Sequence, residues 1–190
     1  MMRSCFTLTV FIVIFLFPIS LLAQEEGLSI LAKSKYFSLY STKDVDVYSL
    51  LNKLDFDYFL QPDALLKKDN QDAQGILTKV LDALYLEVSD ILDIHIYSFH
   101  GNIKILPDQN SVSTVFKNFF KTDFPERSFY LHEKNTIYIS LSDLNSGMLA
   151  HEISHAIISH YFVVPPPTKI QEVLSGFVEY TLRKSAGKLP

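Results

Sequence analysis

The sequence predicts an α+β domain that follows an N-terminal leader. Short runs of alternating or β-branched apolar residues predict strands, and longer runs with apolar residues three and four positions apart predict helices. With 48% hydrophobic residues among 190, the chain has enough apolar material for a core. It has no internal repeat and only six glycines, so we expect residues 24–190 to form a single domain.

Residues 1–23 are predicted to form a signal peptide. Arg3 precedes an apolar segment, and Ala23 stands before the polar triplet Gln-Glu-Glu, as at a cleavage site. We expect removal after Ala23, which would export the domain to the periplasm or the medium with no stable membrane span. An uncleaved anchor is the alternative. The only cysteine, Cys5, lies in this segment, so the mature domain is expected to have no disulfide.

The charge pattern argues against nucleic acid as a partner. The formal net charge is −4, the acidic residues are scattered, and no basic cluster is longer than a pair such as Lys67-Lys68. This pattern is typical of a soluble exported domain.

In the first half of the domain, the sequence predicts a strand, a short helix, a long helix and a hairpin. Asp44 or Asp46 is placed to cap the short helix, and apolar residues recur at helical spacing along the long one. His95 and His100 are assigned to the hairpin rather than to a metal site. Residues 55–71 give no clear pattern. The predicted elements are a strand at Tyr36–Tyr40, helices at Val45–Leu54 and Gln74–Leu92, and paired strands at Ile94–Phe99 and Ile103–Leu106.

The second half predicts a helix over Ser111–Phe120 and then a second hairpin that leads into a long helix. Glu133-Lys134-Asn135 separates the hairpin strands Phe129–Leu131 and Thr136–Leu141. The helix over Leu144–Phe162 has Ser142, Asp143 or Asn145 as candidate caps. Three prolines, Pro165 to Pro167, end it.

A final helix is predicted from Thr168, with Pro167 suited to its first turn. Because the connection is short, this helix is expected to run back along the preceding one. Its predicted buried stripe consists of Ile170, Val173, Leu174, Phe177, Val178 and Leu182.

The pentapeptide His151-Glu152-Ile153-Ser154-His155 is the main functional signal in the chain. Residues four apart lie about one turn from each other on a helix, so both imidazoles can reach one metal ion. Glu152 is turned about 100° from His151, which leaves it free to act as a base. The alternative is that both histidines pack or hydrogen-bond conventionally.

A zinc site needs a third protein ligand, and the returning helix offers Glu172 at a level close to His155. Glu179 lies on the same face but about 10 Å further along, nearer His151. We expect Glu179 to accept the outer N–H of a ligand histidine. A solvated surface carboxylate is the alternative.

His-Glu-x-x-His followed by a glutamate on the next helix resembles the gluzincin metallopeptidases, mainly over residues 142–182. Glu172-Val173-Leu174-Ser175 is also similar to part of the thermolysin-type segment, although Gln171 replaces its asparagine and Gly176 its aspartate. The metzincin pattern is disfavoured, because Ile158 and Tyr161 stand where it needs glycine and histidine. His160 lies on the opposite helical face from His151.

The resemblance implies a zincin-like fold with a small mixed or antiparallel sheet, a motif helix, and an antiparallel helix that carries the third ligand. It implies a zinc-dependent hydrolase of peptides or proteins with Glu152 as general base. Tyr180, or alternatively Tyr161, is the candidate oxyanion donor. Ile137–Ser140 is expected to form the cleft edge that pairs with substrate. A partner subunit or a propeptide within residues 24–34 could complete or block the cleft. The alternative function is an inactive zincin-like binding or structural domain.

Overall fold

The computed structural model describes residues 27–59, 73–123 and 125–188 of the chain. Outside the described residues lie the predicted signal peptide, residues 24–26 of the proposed propeptide segment, and residues 60–71 of the unassigned region. Across the described part, no helix is long and apolar enough to cross a membrane.

The fold is α+β and centres on a five-stranded mixed sheet in the order β1-β2-β3-β5-β4. The inner pairs β2/β3 and β3/β5 are parallel, whereas the outer pairs β1/β2 and β4/β5 are antiparallel. The strands are β1 (Ser29–Lys33), β2 (Phe37–Ser41), β3 (Gly101–Leu106), β4 (Ser128–Leu131) and β5 (Thr136–Ser140).

Some of the helices begin at a polar side chain that caps the first turn. Asp46 accepts hydrogen bonds from the backbone of Tyr48 and Ser49, and Asn145 accepts one from Met148 at the start of the motif helix. The helices are α1 (Val47–Lys53), α2 (Phe56–Phe59), α3 (Ala73–Leu92), α4 (Gln109–Phe120), α5 (Ser146–Tyr161) and α6 (Thr168–Ser185), with a 3₁₀ turn at His132–Lys134 between β4 and β5.

The sheet is covered on both faces. Ile137 and Ile139 of β5 belong to the larger core cluster, which also contains residues of α3, α5 and α6. Tyr138 belongs to a smaller cluster with Val112 and Val115 of α4. Since successive side chains of a strand point to opposite faces, α4 covers one face and the other helices cover the opposite face. The motif helix α5 therefore lies over the sheet beside β4.

The structure confirms the β4/β5 hairpin and corrects the predicted first hairpin. Phe129 pairs with Tyr138 in antiparallel register, but Ile94–Phe99 forms no strand, and β3 pairs in parallel with β2 and β5. Ile94 and Ile96 do pack on the core, which accounts for the alternating pattern without strand pairing. His95 and His100 are held locally, by Asp90 and by Ser38.

A second correction concerns the edge of the sheet. Ile137–Ser140 lies inside the sheet, between β3 and β4, so this segment has no open edge. All five residues of β5 are buried because helices cover both faces of the sheet. The strand at this end of the sheet is β4.

Helices α5 and α6 pack as an antiparallel pair. His155 lies beside Gln171 in the first turn of α6, whereas Gly147 at the start of α5 lies against Arg183 near the end of α6. The predicted buried stripe of α6 is wrong in part, because Ile170, Val173 and Phe177 are exposed by 49%, 63% and 56%. Against the described residues, the buried face of α6 is the one that carries Ser175, Val178 and Leu182.

Candidate metal centre

Three side chains bring metal-ligating atoms together where α5 meets α6. The Nε2 atoms of His151 and His155 lie 3.2 Å apart. The Glu172 carboxylate, on α6, faces both rings, with Oε2 3.4 Å from His151 Nε2 and Oε1 3.4 Å from His155 Nε2. Ligand atoms 2.0–2.2 Å from a tetrahedral zinc lie roughly 3.3–3.6 Å from one another. The spacing of the three donors therefore fits a single metal ion.

The cluster is open on one side. The side chains of His151 and His155 are 21% and 14% exposed, whereas that of Glu172 is 54% exposed. Two imidazoles held by the protein and one solvent-facing carboxylate could receive an ion from solution. The same arrangement would leave space for a further ligand.

The outer nitrogen of His151 faces a second carboxylate. Its Nδ1 lies 3.5 Å from Glu179 Oε2, and Glu179 also lies 3.3 Å from Arg183 Nη1. The contact with His151 lowers the pKa of Glu179, and Arg183 adds to this effect. Burial alone would lower the pKa of His151, but Glu179 and the other nearby carboxylates outweigh burial and raise it. A proton held on Nδ1 leaves the Nε2 lone pair for a metal.

The outer nitrogen of His155 faces Gln171, which sequence reasoning treated only as a departure from the thermolysin-type pattern. His155 Nδ1 lies 3.4 Å from Gln171 Oε1, and Gln171 Nε2 donates a 2.8 Å hydrogen bond to the Pro166 carbonyl. This second bond orients the amide so that its oxygen faces the imidazole. Burial, together with the neighbouring His151, lowers the pKa of His155 and favours its neutral form.

Glu152 is buried, with 5% of its surface exposed. Its Oε1 accepts a 2.7 Å hydrogen bond from Ser128 Oγ on β4. Burial raises the pKa of Glu152 to about 7, although the Ser128 hydrogen bond and His151 oppose the rise. Sequence reasoning missed Ser128, because no motif connects it to residues so distant in the chain.

Two adjoining cavities open beside the cluster, and both are lined by Glu126, Ser128, His151 and Glu152. The first has a volume of about 340 Å³ and is also lined by Met148. The second has a volume of about 500 Å³ and extends to Glu172 and to aromatic residues of α4 and β4. Burial and the nearby Glu172 raise the pKa of Glu126. A substrate could therefore reach Glu152 and the three donor atoms at once.

The structure does not bring the two candidate oxyanion donors to these cavities. Tyr180 is 51% exposed, with Lys184 Nζ 6.0 Å from its ring centre. Tyr161 is 55% exposed and packs against Phe162. Neither tyrosine lines either cavity. His160 is directed elsewhere, with Nδ1 2.9 Å from the Ala156 carbonyl oxygen.

Comparisons of the chain with protein-family models, with curated proteins and with solved structures give no match. The functional interpretation therefore depends on the chemistry of the site. Its components are a possible ligand set of two imidazoles and a carboxylate, a buried carboxyl group beside it, and a cavity that reaches both.

Proposed function

We propose that this protein is an exported zinc metallopeptidase with a zincin-like, gluzincin-type site. His151, His155 and Glu172 would hold the metal, and Glu152 would act as general base. The observation that carries the proposal is the triangle of donor atoms, 3.2, 3.4 and 3.4 Å on its sides, next to a buried carboxyl group. Imidazole and carboxylate donors suit zinc, and this ligand set is the one used by peptidases of this type.

The state of Glu152 favours an enzyme over an inactive scaffold. A buried carboxyl group with a pKa of about 7 costs folding free energy when it ionises, and a purely structural domain gains nothing from it. A general base, in contrast, works best when its pKa lies near the operating pH. The hydrogen bond from Ser128 stabilises the ionised form that a base requires.

The residues have separate roles in peptide hydrolysis. A bound zinc ion supplies positive charge that polarises a carbonyl group and makes water more acidic. Glu152 accepts the proton of the attacking water and then delivers it to the leaving nitrogen. Glu179 and Gln171 would accept the outer N–H groups of His151 and His155, which would leave both Nε2 lone pairs available to a metal.

No strand among the described residues pairs with the outer side of β4, and this edge supports an extended peptide as the substrate. Ser140 N–H donates to the Arg127 carbonyl, so Arg127, Phe129 and Leu131 direct their backbone groups toward β5. Because pairing alternates along an antiparallel ladder, Ser128 and Tyr130 direct theirs away from β5. A peptide added at this edge would be held next to Glu152, to which the Ser128 side chain is bonded.

The test is peptide hydrolysis by the full chain loaded with Zn²⁺, compared with Glu152→Gln. We expect cleavage by the wild type, loss after chelation and recovery with added zinc. Glu152→Gln should bind the same amount of zinc and cleave at least about 100-fold more slowly. Zinc-loaded wild type that cleaves no member of a mixed peptide library, or cleavage that persists unchanged in Glu152→Gln, would overturn the proposal.

A further inference from the structure

Three phenylalanine rings form one wall of the larger cavity. Phe116 and Phe120 come from α4 and Phe129 comes from β4. The ring centres of Phe116 and Phe120 lie 4.5 Å apart, and Phe129 lies 5.2 Å from Phe116 and 6.0 Å from Phe120. Phe129 is buried, but Phe120 is 46% exposed. The cluster therefore presents accessible aromatic surface to whatever occupies the cavity.

The candidate metal centre lines the same cavity. His151, His155 and Glu172 line it together with Glu152. A cavity of about 500 Å³ falls within the usual range for ligand-binding sites, and such sites combine apolar walls with a few polar groups. A group held against the phenylalanines would therefore share this cavity with the candidate metal centre.

The alternation of side chains along β4 shows how a peptide could reach this wall. Ser128 and Tyr130 point toward α5, where they contact Glu152 and His160. Phe129 and Leu131 point to the other face and join the cluster that contains α4 residues. A strand paired with the edge of β4 alternates in the same way, so every second side chain of it would lie on the α4 side.

Charge in the cavity restricts which side chains fit. Three carboxyl groups, those of Glu126, Glu152 and Glu172, line it, and its described lining includes no lysine or arginine. The described lining offers an acidic side chain no lysine or arginine partner, and a charged group would lose hydration against the rings, whereas an apolar one would cover exposed ring surface.

We propose that Phe116, Phe120 and Phe129 form a subsite for a large apolar or aromatic side chain of an extended peptide, next to the bond that is cleaved. That the subsite adjoins a cleaved bond rests on the proposed peptidase function, but binding at the subsite does not require turnover. The expected order of preference is phenylalanine and leucine over alanine, and alanine over aspartate.

The test uses fluorescein-labelled hexapeptides in which each position in turn is Phe, Leu, Ala or Asp. Binding to full-chain, zinc-loaded Glu152→Gln is followed by anisotropy, and cleavage by the wild type is mapped by mass spectrometry. At one position we expect Phe to bind about 10- to 100-fold more tightly than Ala. Phe120→Ala should reduce this ratio several-fold while leaving the Ala peptide unaffected. Phe177→Ala, which removes an exposed ring outside the cavity, should leave the ratio unchanged.

The outcomes separate the subsite from the peptidase function. Preference for Phe in binding without any cleavage supports the subsite and contradicts the peptidase. Cleavage that does not distinguish Phe, Ala and Asp at any position overturns the subsite and leaves the peptidase standing, whereas unselective binding without cleavage overturns both. A preference that Phe120→Ala does not reduce also overturns it, because the selecting surface would lie elsewhere. If the protein neither binds nor cleaves any of the peptides, both proposals are overturned.

Discussion

Ser128 Oγ donates a 2.7 Å hydrogen bond to Oε1 of Glu152, which links the edge strand β4 to the helix that carries both histidines. The two residues come from β4 and α5, the elements between which a substrate would bind. The edge strand therefore also positions the proposed general base. A shift of β4 relative to α5 would move this carboxylate relative to the substrate.

Ser128→Ala should slow peptide hydrolysis about 10-fold at pH 7 without reducing zinc content. The hydroxyl stabilises ionised Glu152, so its loss should raise the pKa of this carboxyl group further. We expect the acidic limb of the rate–pH profile to move to higher pH. Ser128→Thr keeps a hydroxyl and should restore most of the activity. An unchanged profile in Ser128→Ala would show that the hydrogen bond has no role in the reaction.

Glu179→Gln should weaken zinc binding about 10- to 100-fold, because the amide holds the Nδ1 proton of His151 less strongly than the carboxylate does. Competition with a zinc-binding dye measures the affinity. Glu133→Gln, at an exposed position in the turn after β4, is the matched control and should bind zinc like the wild type. Equal zinc affinities in the two variants would show that Glu179 does not support metal binding.

Zinc affinity should fall as the pH falls, since a protonated imidazole cannot bind a metal. The pKa of His151 is raised, so proton competition should begin above the ordinary histidine value. His155, whose pKa is lowered, should compete only at lower pH. Dye competition between pH 5 and pH 8 would show this fall. In Glu179→Gln the onset should move to lower pH, and an onset that stays fixed would contradict the assigned cause.

Glu152→Gln should stabilise the metal-free protein at pH 8 but not near pH 4. In the unfolded chain this carboxyl group ionises near its usual pKa, whereas in the folded chain it does so at about 7. Between those values Glu152 keeps its proton in the folded state but has lost it in the unfolded state. The free energy of unfolding therefore falls as the pH rises through that window and stays lower above it. We expect a gain of about 1–3 kcal/mol at pH 8, measured by denaturant unfolding. A gain that is the same at pH 4 and pH 8 would exclude ionisation of Glu152 as its source.

Local sequence patterns predicted much of the local structure. The motif helix was expected over Leu144–Phe162 and runs over Ser146–Tyr161, with one of the expected caps, Asn145, in place. The final helix begins at the expected Thr168, and the β4/β5 hairpin has the expected turn. These features depend on caps, prolines and short-range periodicity, which neighbouring residues determine.

Long-range pairing could not be predicted in this way. Parallel contacts of β3 with β2 and β5 join segments far apart in the chain, and β1 was missed altogether. Ile94 and Ile96 alternate with polar residues because they pack on the core from a loop, a pattern that sequence alone cannot distinguish from a strand. The exposed Phe177 is a similar case, since apolar periodicity does not reveal which side of a helix meets the sheet.

In the candidate site, too, local sequence predicted some residues, whereas others depend on tertiary structure. Three candidate ligands were predicted from the spacing in His151-Glu152-Ile153-Ser154-His155 and from the return of α6. The structure places His151, His155 and Glu172 within one cluster. Ser128 and Gln171 contribute through hydrogen bonds that depend on tertiary structure. Their side chains are common polar types, so only the fold reveals their contacts with Glu152 and His155.

The most direct test of the metal centre is the zinc content of the purified full chain after zinc loading and dialysis, measured by elemental analysis. The wild type, Glu172→Ala and the exposed control Glu133→Ala are compared, with circular dichroism to show that each is folded. We expect about one zinc per chain in the wild type and in Glu133→Ala, and much less in Glu172→Ala. A folded wild type that retains no zinc, or a Glu172→Ala variant that retains as much as the wild type, would contradict the proposed ligand set.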